Sequence, residues 1–196
     1  MPVQRQMLYN NGIYFITYTC YNWLSLLDIT NSYDLVYKSF DYLKNQGHYI
    51  AGYVIMPNHL HTLIAFQEIG RDLNKLIGDS KRFMAYEIVS RLEAGNNEKI
   101  LKQLSEGVTV SEKKRGKLHE VWKDSFDWKL CDTNEMIEQK LDYMHNNPCT
   151  GKWKLVENPV DYIHSSAKYY ITGEQGIYRV TNYMELEDID LTKPNG

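Results

Sequence analysis

The sequence predicts an α+β fold: a ferredoxin-like or RRM-like βαββαβ antiparallel sheet with its helices, followed by a C-terminal helix that carries a tyrosine. Three observations predict it. The residue patterns run strand, helix, strand, strand, helix, strand, helix. The two middle strands are separated only by Pro57 and Asn58, which makes them a hairpin. A βαββαβ order has one economical packing, four antiparallel strands with two helices on one face. The other face of the sheet is then left for the last helix, and for a site.

Each element has a local reason. Residues 13–20, IYFITYTC, are β-branched and aromatic and read as a strand. Asn31 and Ser32 are placed to cap a helix over 33–46, where Val36, Phe40 and Leu43 recur at helical spacing and Gly47 follows as a stop. YIAGYVIM at 49–56 and HLHTLIAF at 59–66 are the hairpin strands. A second helix fits 71–92, with Leu73, Leu76, Ile77, Phe83, Met84 and Ile88 on its apolar side. WKDSFDWKLCD at 122–132 alternates as a fourth strand. Asp132 and Glu135 then stand in capping positions for a helix over 133–147, which Pro148 ends. Pro148 also disfavours a helical backbone at Asn147.

Length and composition bound the organisation. A chain of 196 residues suits one domain, read here over 1–170, with a polar insertion around 93–120 and an acidic C-terminal extension over 171–196. No apolar run approaches the roughly 20 residues that cross a bilayer, and MPVQRQMLYNNG lacks a secretory core, so the expectation is a cytoplasmic protein without a membrane partner. Cys20, Cys131 and Cys149 are odd in number and widely separated, which signals neither a disulfide framework nor a thiolate zinc site. The net charge of −3 argues against a highly basic nucleic-acid coat protein. It hides an asymmetry, however. The tail is acidic, whereas KRF at 81–83 and SEKKRGK at 111–117 are basic. Lys81, Arg82, Lys113, Lys114 and Arg115 are therefore candidate phosphate contacts, competing with the plainer reading of solvated charge.

The chemistry-bearing residues start in VIMPNHLHTLIAF, 54–66. Strand side chains alternate, so His59 and His61 point to the same face about 7 Å apart along the strand and can converge on one cation. The competing reading is two core histidines, each of which must find a hydrogen-bond partner. In LDYMHNNPC, 141–149, Tyr143 and Asn147 are four apart and share a helix face one notch from the stripe of Ile137, Leu141 and Met144. If that helix covers the sheet, a phenol and an amide overhang the imidazoles. His145 is two residues from Tyr143 and is expected at the surface or in a cap; His48 and His119 are expected in exposed loops. Ser165 and Ser166, after His164, are expected to cap a following helix.

PNHLH after a strand, WKDSF, YMHNNP, then GKW and DYIHSSAKYY, in this order, resemble the IS200-like transposase family and especially its REP-associated tyrosine transposase branch. These are single-tyrosine HUH endonucleases, and the resemblance spans about residues 5–170. It implies a metal-dependent DNA transposase that nicks and rejoins single-stranded or hairpin DNA through a 5′-phosphotyrosine intermediate. It further implies Tyr143 as nucleophile, His59 and His61 as ligands of a divalent Mg²⁺ or Mn²⁺, and Asn147 as third ligand where relatives outside the branch carry glutamine. The family includes proteins working as monomer or homodimer. Two other functions fit parts of the pattern: a non-catalytic nucleic-acid-binding module of the same fold, and a rolling-circle replication initiator or relaxase. The chain has no P-loop, which counts against the latter.

Overall fold

The computed structural model describes residues 7, 9–123, 127–151 and 153–193. β1 (Gly12–Thr19) forms where β-branched and aromatic residues are massed, and it lies inside the sheet, not at an edge. A 3₁₀ turn over Tyr21–Trp23 and a short α1 (Leu26–Ile29) lead into α2 (Tyr33–Asn45). β2 (Tyr49–Met56) and β3 (His59–Phe66) follow as the tight hairpin, then α3 (Leu73–Ala94), α4 (Glu98–Glu106) and α5 (Val110–Lys114). β4 (Asp127–Leu130), α6 (Asn134–Asn146) and α7 (Ala167–Thr172) complete the order. The strands are arranged β2-β3-β1-β4, every neighbouring pair antiparallel, as the βαββαβ reading requires.

Alternation along the strands sorts their side chains into two cores. One face places Tyr14, Ile16, Tyr18, Leu60 and Ile64 against Val36 and Phe40 of α2 and Leu73, Ile77 and Ile88 of α3. The other places Phe15, Val54, Leu63 and Ala65 against Ile137, Leu141 and Met144 of α6. Gly52, just after a bulge in β2, lets α6 come close: a Cβ there would meet Leu141 Cδ2 at 2.7 Å. His59 and His61 are odd-numbered on β3 and so belong to the α6 face.

Several boundaries differ from the sequence pattern for local reasons. The fourth strand is described over Asp127–Leu130, and Trp122 forms an isolated antiparallel bridge with Cys20 while its buried indole donates N–H to the Lys81 carbonyl; 124–126 of the expected strand lie outside the described residues. Thr133, not Asp132, caps α6 by accepting the Met136 amide. Asn147 keeps a right-handed helical backbone (φ −55°, ψ −44°) and starts a 3₁₀ turn in which Pro148 occupies an early position that needs no amide donor, so the proline does not push Asn147 out of helical conformation. Phe83 is exposed, one position off the buried stripe of α3.

Two histidines expected outside are inside. His48 is buried with Nδ1 accepting the Gln67 amide at 3.2 Å, and burial lowers its pKa to about 4. His145 is buried because the segment 164–166 covers that side of α6 and the edge of β2: Ile55 N–H donates to the His164 carbonyl, and Ser166 N–H to the Tyr53 carbonyl. Ser165 Oγ accepts the Ala167 amide at the start of α7, whereas the Ser166 hydroxyl turns to the sheet, accepting the Tyr53 amide at 2.9 Å and lying 2.8 Å from His145 Nε2. His164 stacks on Tyr33 with ring centroids 3.8 Å apart. The acidic C-terminal segment lies on the sheet edge, with Val180, Tyr183 and Leu186 buried and Thr181 N–H donating to the Ile50 carbonyl. No helix among the described residues is long and apolar enough to cross a membrane.

Ser166 therefore ties α6, β2 and the segment before α7 together through one hydroxyl. Ser166→Ala leaves the Tyr53 amide and the His145 ring without that partner in a buried place, and should cost about 1–3 kcal/mol in urea unfolding. Replacing an exposed hydroxyl such as Ser90 by alanine should change the midpoint little.

Candidate functional site

The register of β1 on β3 builds the site. Thr19 pairs with His59 and Thr17 with His61 along the full length of both strands. Odd-numbered residues of both strands face α6, so Thr17 Oγ1 lies 2.8 Å from His61 Nδ1 and Phe15 stacks on the His61 ring at 5.2 Å between centroids. Asn58, the second residue of the Pro-Asn turn, is buried with its Oδ1 2.7 Å from His59 Nδ1, while its Nδ2 donates to the Trp23 carbonyl at 3.1 Å. The rings of His59 and His61 are 4.9 Å apart.

Both imidazoles are buried. In the tautomer whose Nδ1–H donates to Thr17 Oγ1, His61 presents Nε2 as a lone pair, and that buried nitrogen has no hydrogen-bond partner among the described residues. Burial, reinforced by the nearby His59 and by the Lys140 charge, depresses the His61 pKa to about 3, so the ring is neutral at physiological pH. A neutral imidazole with an orphaned inward nitrogen, beside a second imidazole whose Nδ1 is pinned by a carbonyl oxygen, is the donor arrangement a divalent cation takes. Among the described residues no group of three or more His, Cys, Asp and Glu forms a site, so a further protein ligand would have to be of another type.

α6 brings Tyr143 over this pair. The Tyr143 ring lies 5.2 Å from that of His61 and 6.2 Å from that of Phe15, and the residue remains 54% exposed. Docking of Ile137, Leu141 and Met144 against the sheet fixes the helix; Tyr143, the next position round, is left at the rim. Asn147 lines the same shallow surface depression as Asp142, Tyr143, Asn146 and Thr150. The overhang expected from the helix pattern is thus present for Tyr143, and Asn147 stands one turn further on the same side of α6.

Lys140, Thr17, Phe15, Asn58 and Trp23 are not legible as site residues in the pattern, although the three-residue step from Lys140 to Tyr143 puts the two on one helix face. The Lys140 ammonium lies 4.8 Å from the Phe15 ring centroid and 5.8 Å from that of Tyr143. The basic candidates are distributed differently. Lys81 and Arg82 belong to α3, on the opposite sheet face. Lys81 nevertheless reaches the Lys123 carbonyl at 3.4 Å, and the Lys123 amide donates to Thr19, the partner of His59, so it stands at the histidine end of the sheet. Arg82 pairs with Asp79 at 3.0 Å. Lys113, Lys114 and Arg115 are exposed at the end of α5, a short helix closed by a capping box between Thr109 and Glu112.

Comparison with solved structures agrees with the fold. A REP-associated tyrosine transposase bound to a REP hairpin aligns with a TM-score of 0.59 over 93% of both chains at 18% identity. A putative transposase from Deinococcus radiodurans R1 aligns with a TM-score of 0.38 at 16% identity, over 74% of this chain and 97% of the other. No family model matches the chain, and no curated relative does. The likeness to the first structure is one of fold, an α+β four-stranded antiparallel sheet with the same arrangement over nearly the whole length of each chain.

The pinning of the imidazoles can be tested without DNA. Asn58→Ala removes the acceptor of His59 Nδ1 and the donor to Trp23, and Thr17→Val removes the partner of His61. Calorimetric titration with Mn²⁺ should show each variant binding about 10- to 100-fold more weakly than the parent while remaining folded by circular dichroism. Unchanged Mn²⁺ affinity in both would mean that neither side chain orients a metal ligand.

Proposed function

We propose that this chain is a DNA strand transferase of the REP-associated tyrosine transposase kind, which nicks and rejoins single-stranded hairpin DNA through Tyr143. The observation that carries the reading is the contact of one exposed phenol with a buried histidine pair, at 5.2 Å from the neutral His61 ring, on a sheet shared with a transposase that binds a REP hairpin. Tyr143 meets the His61 ring and is also open to a ligand.

His59 and His61, with Asn147 as the third candidate, would hold a divalent Mg²⁺ or Mn²⁺, and a phosphate would meet it on the side that Tyr143 overhangs. When bound, such a cation supplies Lewis-acid polarisation of a non-bridging phosphate oxygen. The protein's own part is positioning. Thr17 and Asn58 fix the two rings, and the packed stripe of α6 fixes the Tyr143 backbone, so the phenol oxygen is presented to the phosphate without the entropy cost of a free nucleophile. Lys140 places a positive charge next to Tyr143, where negative charge would build on the phosphate oxygens. Tyr143 attacks phosphorus, the Oη–P bond forms, the bond from phosphorus to the 3′-oxygen breaks, and that oxygen leaves with a proton as a 3′-hydroxyl. The phosphodiester bond energy is retained in the 5′-phosphotyrosine, so a 3′-hydroxyl can reverse the step. Because Tyr143 is at the surface, its phenolic proton can pass directly to water.

The path of the DNA would continue from the histidine end of the sheet toward Lys81 and the α5 cluster, with the charged side chains there supplying affinity and register through the phosphates. Neutralising Lys113, Lys114 and Arg115 together should flatten the slope of log K against log salt, by about 0.7 for each phosphate of a single strand that is no longer neutralised. An identical slope would assign these three to a solvated face.

The decisive variants are at the centre. Tyr143→Phe should keep the fold and hairpin affinity and form no covalent adduct, and His59→Ala or His61→Ala should slow adduct formation at least about 100-fold with little loss of binding. A denaturing gel of protein mixed with labelled hairpin oligonucleotides and Mn²⁺ reads this directly. Hairpin binding by the parent with no adduct under any divalent metal would favour the non-catalytic nucleic-acid-binding reading.

A further inference from the structure

The turn between β1 and α1 carries a feature that the strand-transfer reading does not use. Asn22 (φ 49°, ψ 27°) and Trp23 (φ 57°) are consecutive left-handed residues, neither of them glycine. Asparagine tolerates this backbone; for a bulky tryptophan it is an outlier, maintained here by hydrogen bonds on both sides. The Trp23 amide donates to the Cys20 carbonyl at 3.0 Å, and the Trp23 carbonyl accepts from Asn58, the same side chain that holds His59. The strained backbone does not serve to bury the indole. Trp23 is 55% exposed, and its ring stands edge-on to that of His59 at 5.7 Å. A large aromatic surface is thus held open at the histidine site by a conformation that costs stability.

Trp23 and Tyr143 occupy different ends of this site. Trp23 contacts His59, the first residue of β3, whereas Tyr143 contacts His61 and Phe15, which lie further into the sheet. In an in-line displacement the attacking and leaving oxygens are on opposite sides of phosphorus. With Tyr143 attacking from the His61 side, the leaving 3′-oxygen points toward the His59 end, and the nucleoside that carries it points toward Trp23.

We infer that Trp23 is a stacking platform for an unpaired nucleobase, that of the nucleotide whose 3′-oxygen leaves when the strand is cut. This rests on the strand-transfer reading for its polarity. The ligand is a single-stranded base, read by its π-face and not by its hydrogen-bonding edge, so the platform accepts any of the four and adds affinity without sequence choice. It would also retain the cleaved strand, keeping its 3′-hydroxyl beside the phosphotyrosine for rejoining instead of losing it to solvent.

The test begins with a cleaved substrate, captured as covalent adduct from a pool of hairpin oligonucleotides with randomised single-stranded flanks, and with the cut position mapped. An abasic site is then placed at the nucleotide immediately upstream or immediately downstream of the cut. Binding is measured by fluorescence anisotropy in the Tyr143→Phe background, in the presence of a chelator, so that neither chemistry nor metal contributes. The upstream abasic site should weaken binding about 5- to 100-fold when Trp23 is present and less than about 2-fold in Trp23→Gly, a substitution that suits the left-handed backbone and keeps the carbonyl bonded to Asn58. Trp23→Phe should restore most of the dependence. In protein with Tyr143 intact, Trp23→Gly should still form the adduct but release the cleaved upstream strand faster and rejoin less of it.

Three results would overturn the inference. Equal weakening by the abasic site with and without Trp23 removes the stacking role. Coupling of Trp23 to the downstream nucleotide instead reverses the polarity and removes the leaving-strand assignment. Failure of the parent to form adduct with any member of the pool removes the strand-transfer reading, and the inference with it; the first two outcomes leave that reading intact.

Discussion

The register between β1 and β3 is the constraint on which the rest depends. Eight consecutive pairs, from Gly12 against Phe66 to Thr19 against His59, place Thr17 opposite His61 and set the odd-numbered residues of both strands on the face that α6 covers. Side chains alternate with a period of two, so a slip of one residue would turn both imidazoles toward α2 and α3 and leave Tyr143 over aliphatic side chains. The register is enforced by apolar burial on both faces: Tyr14, Ile16 and Tyr18 on one side and Phe15 on the other have no alternative position that keeps them out of water. The site is therefore secured by the core, with few dedicated contacts of its own.

A second constraint is the tight Pro57-Asn58 turn. It accepts hydrogen bonds at the Pro57 and Asn58 carbonyls from Leu27, Asp28 and Cys20, which fastens the connection after β1 to the start of β3. Through its side chain, Asn58 then joins His59 to Trp23. One residue thus relates the backbone of the strained turn to an imidazole of the candidate metal pair. The α6 side is fastened independently, through the Leu141–Gly52 approach and the Ser166 hydroxyl that meets both His145 and Tyr53. Two separately anchored parts, Trp23 and Tyr143, flank a pair of buried imidazoles whose positions neither can alter without disturbing the sheet.

Much of this is legible in the sequence. The hairpin, the shared face of His59 and His61, and the placement of Tyr143 beside the stripe Ile137, Leu141 and Met144 all follow from period two in strands and 3.6 in helices, and the structure has each of them. What periodicity does not show is which elements cover one another. Polar neighbours in sequence point to an exterior place for His48 and His145, yet residues far along the chain bury them: the Gln67 amide in one case, Ser166 in the other. The general bias of a residue before proline argues against helical geometry at Asn147; a 3₁₀ turn accommodates both Asn147 and Pro148. Thr17, Lys140 and Trp23 carry no signal, since a threonine in a strand, a lysine on a helix and a tryptophan in a turn become parts of a site only once β1, α6 and the Asn58 turn are assembled.

The central claim is that one phenol out of 16 tyrosines, Tyr143, is the group that the buried histidine pair serves. Its most direct test is tandem mass spectrometry of the nucleotide-bearing peptide recovered after the parent protein is incubated with hairpin DNA and Mn²⁺, then digested with nuclease and protease. The account predicts a single modified site, with the nucleotide phosphate attached through its 5′-oxygen to Tyr143. A nucleotide on any other side chain, or on several tyrosines in comparable amounts, would contradict it.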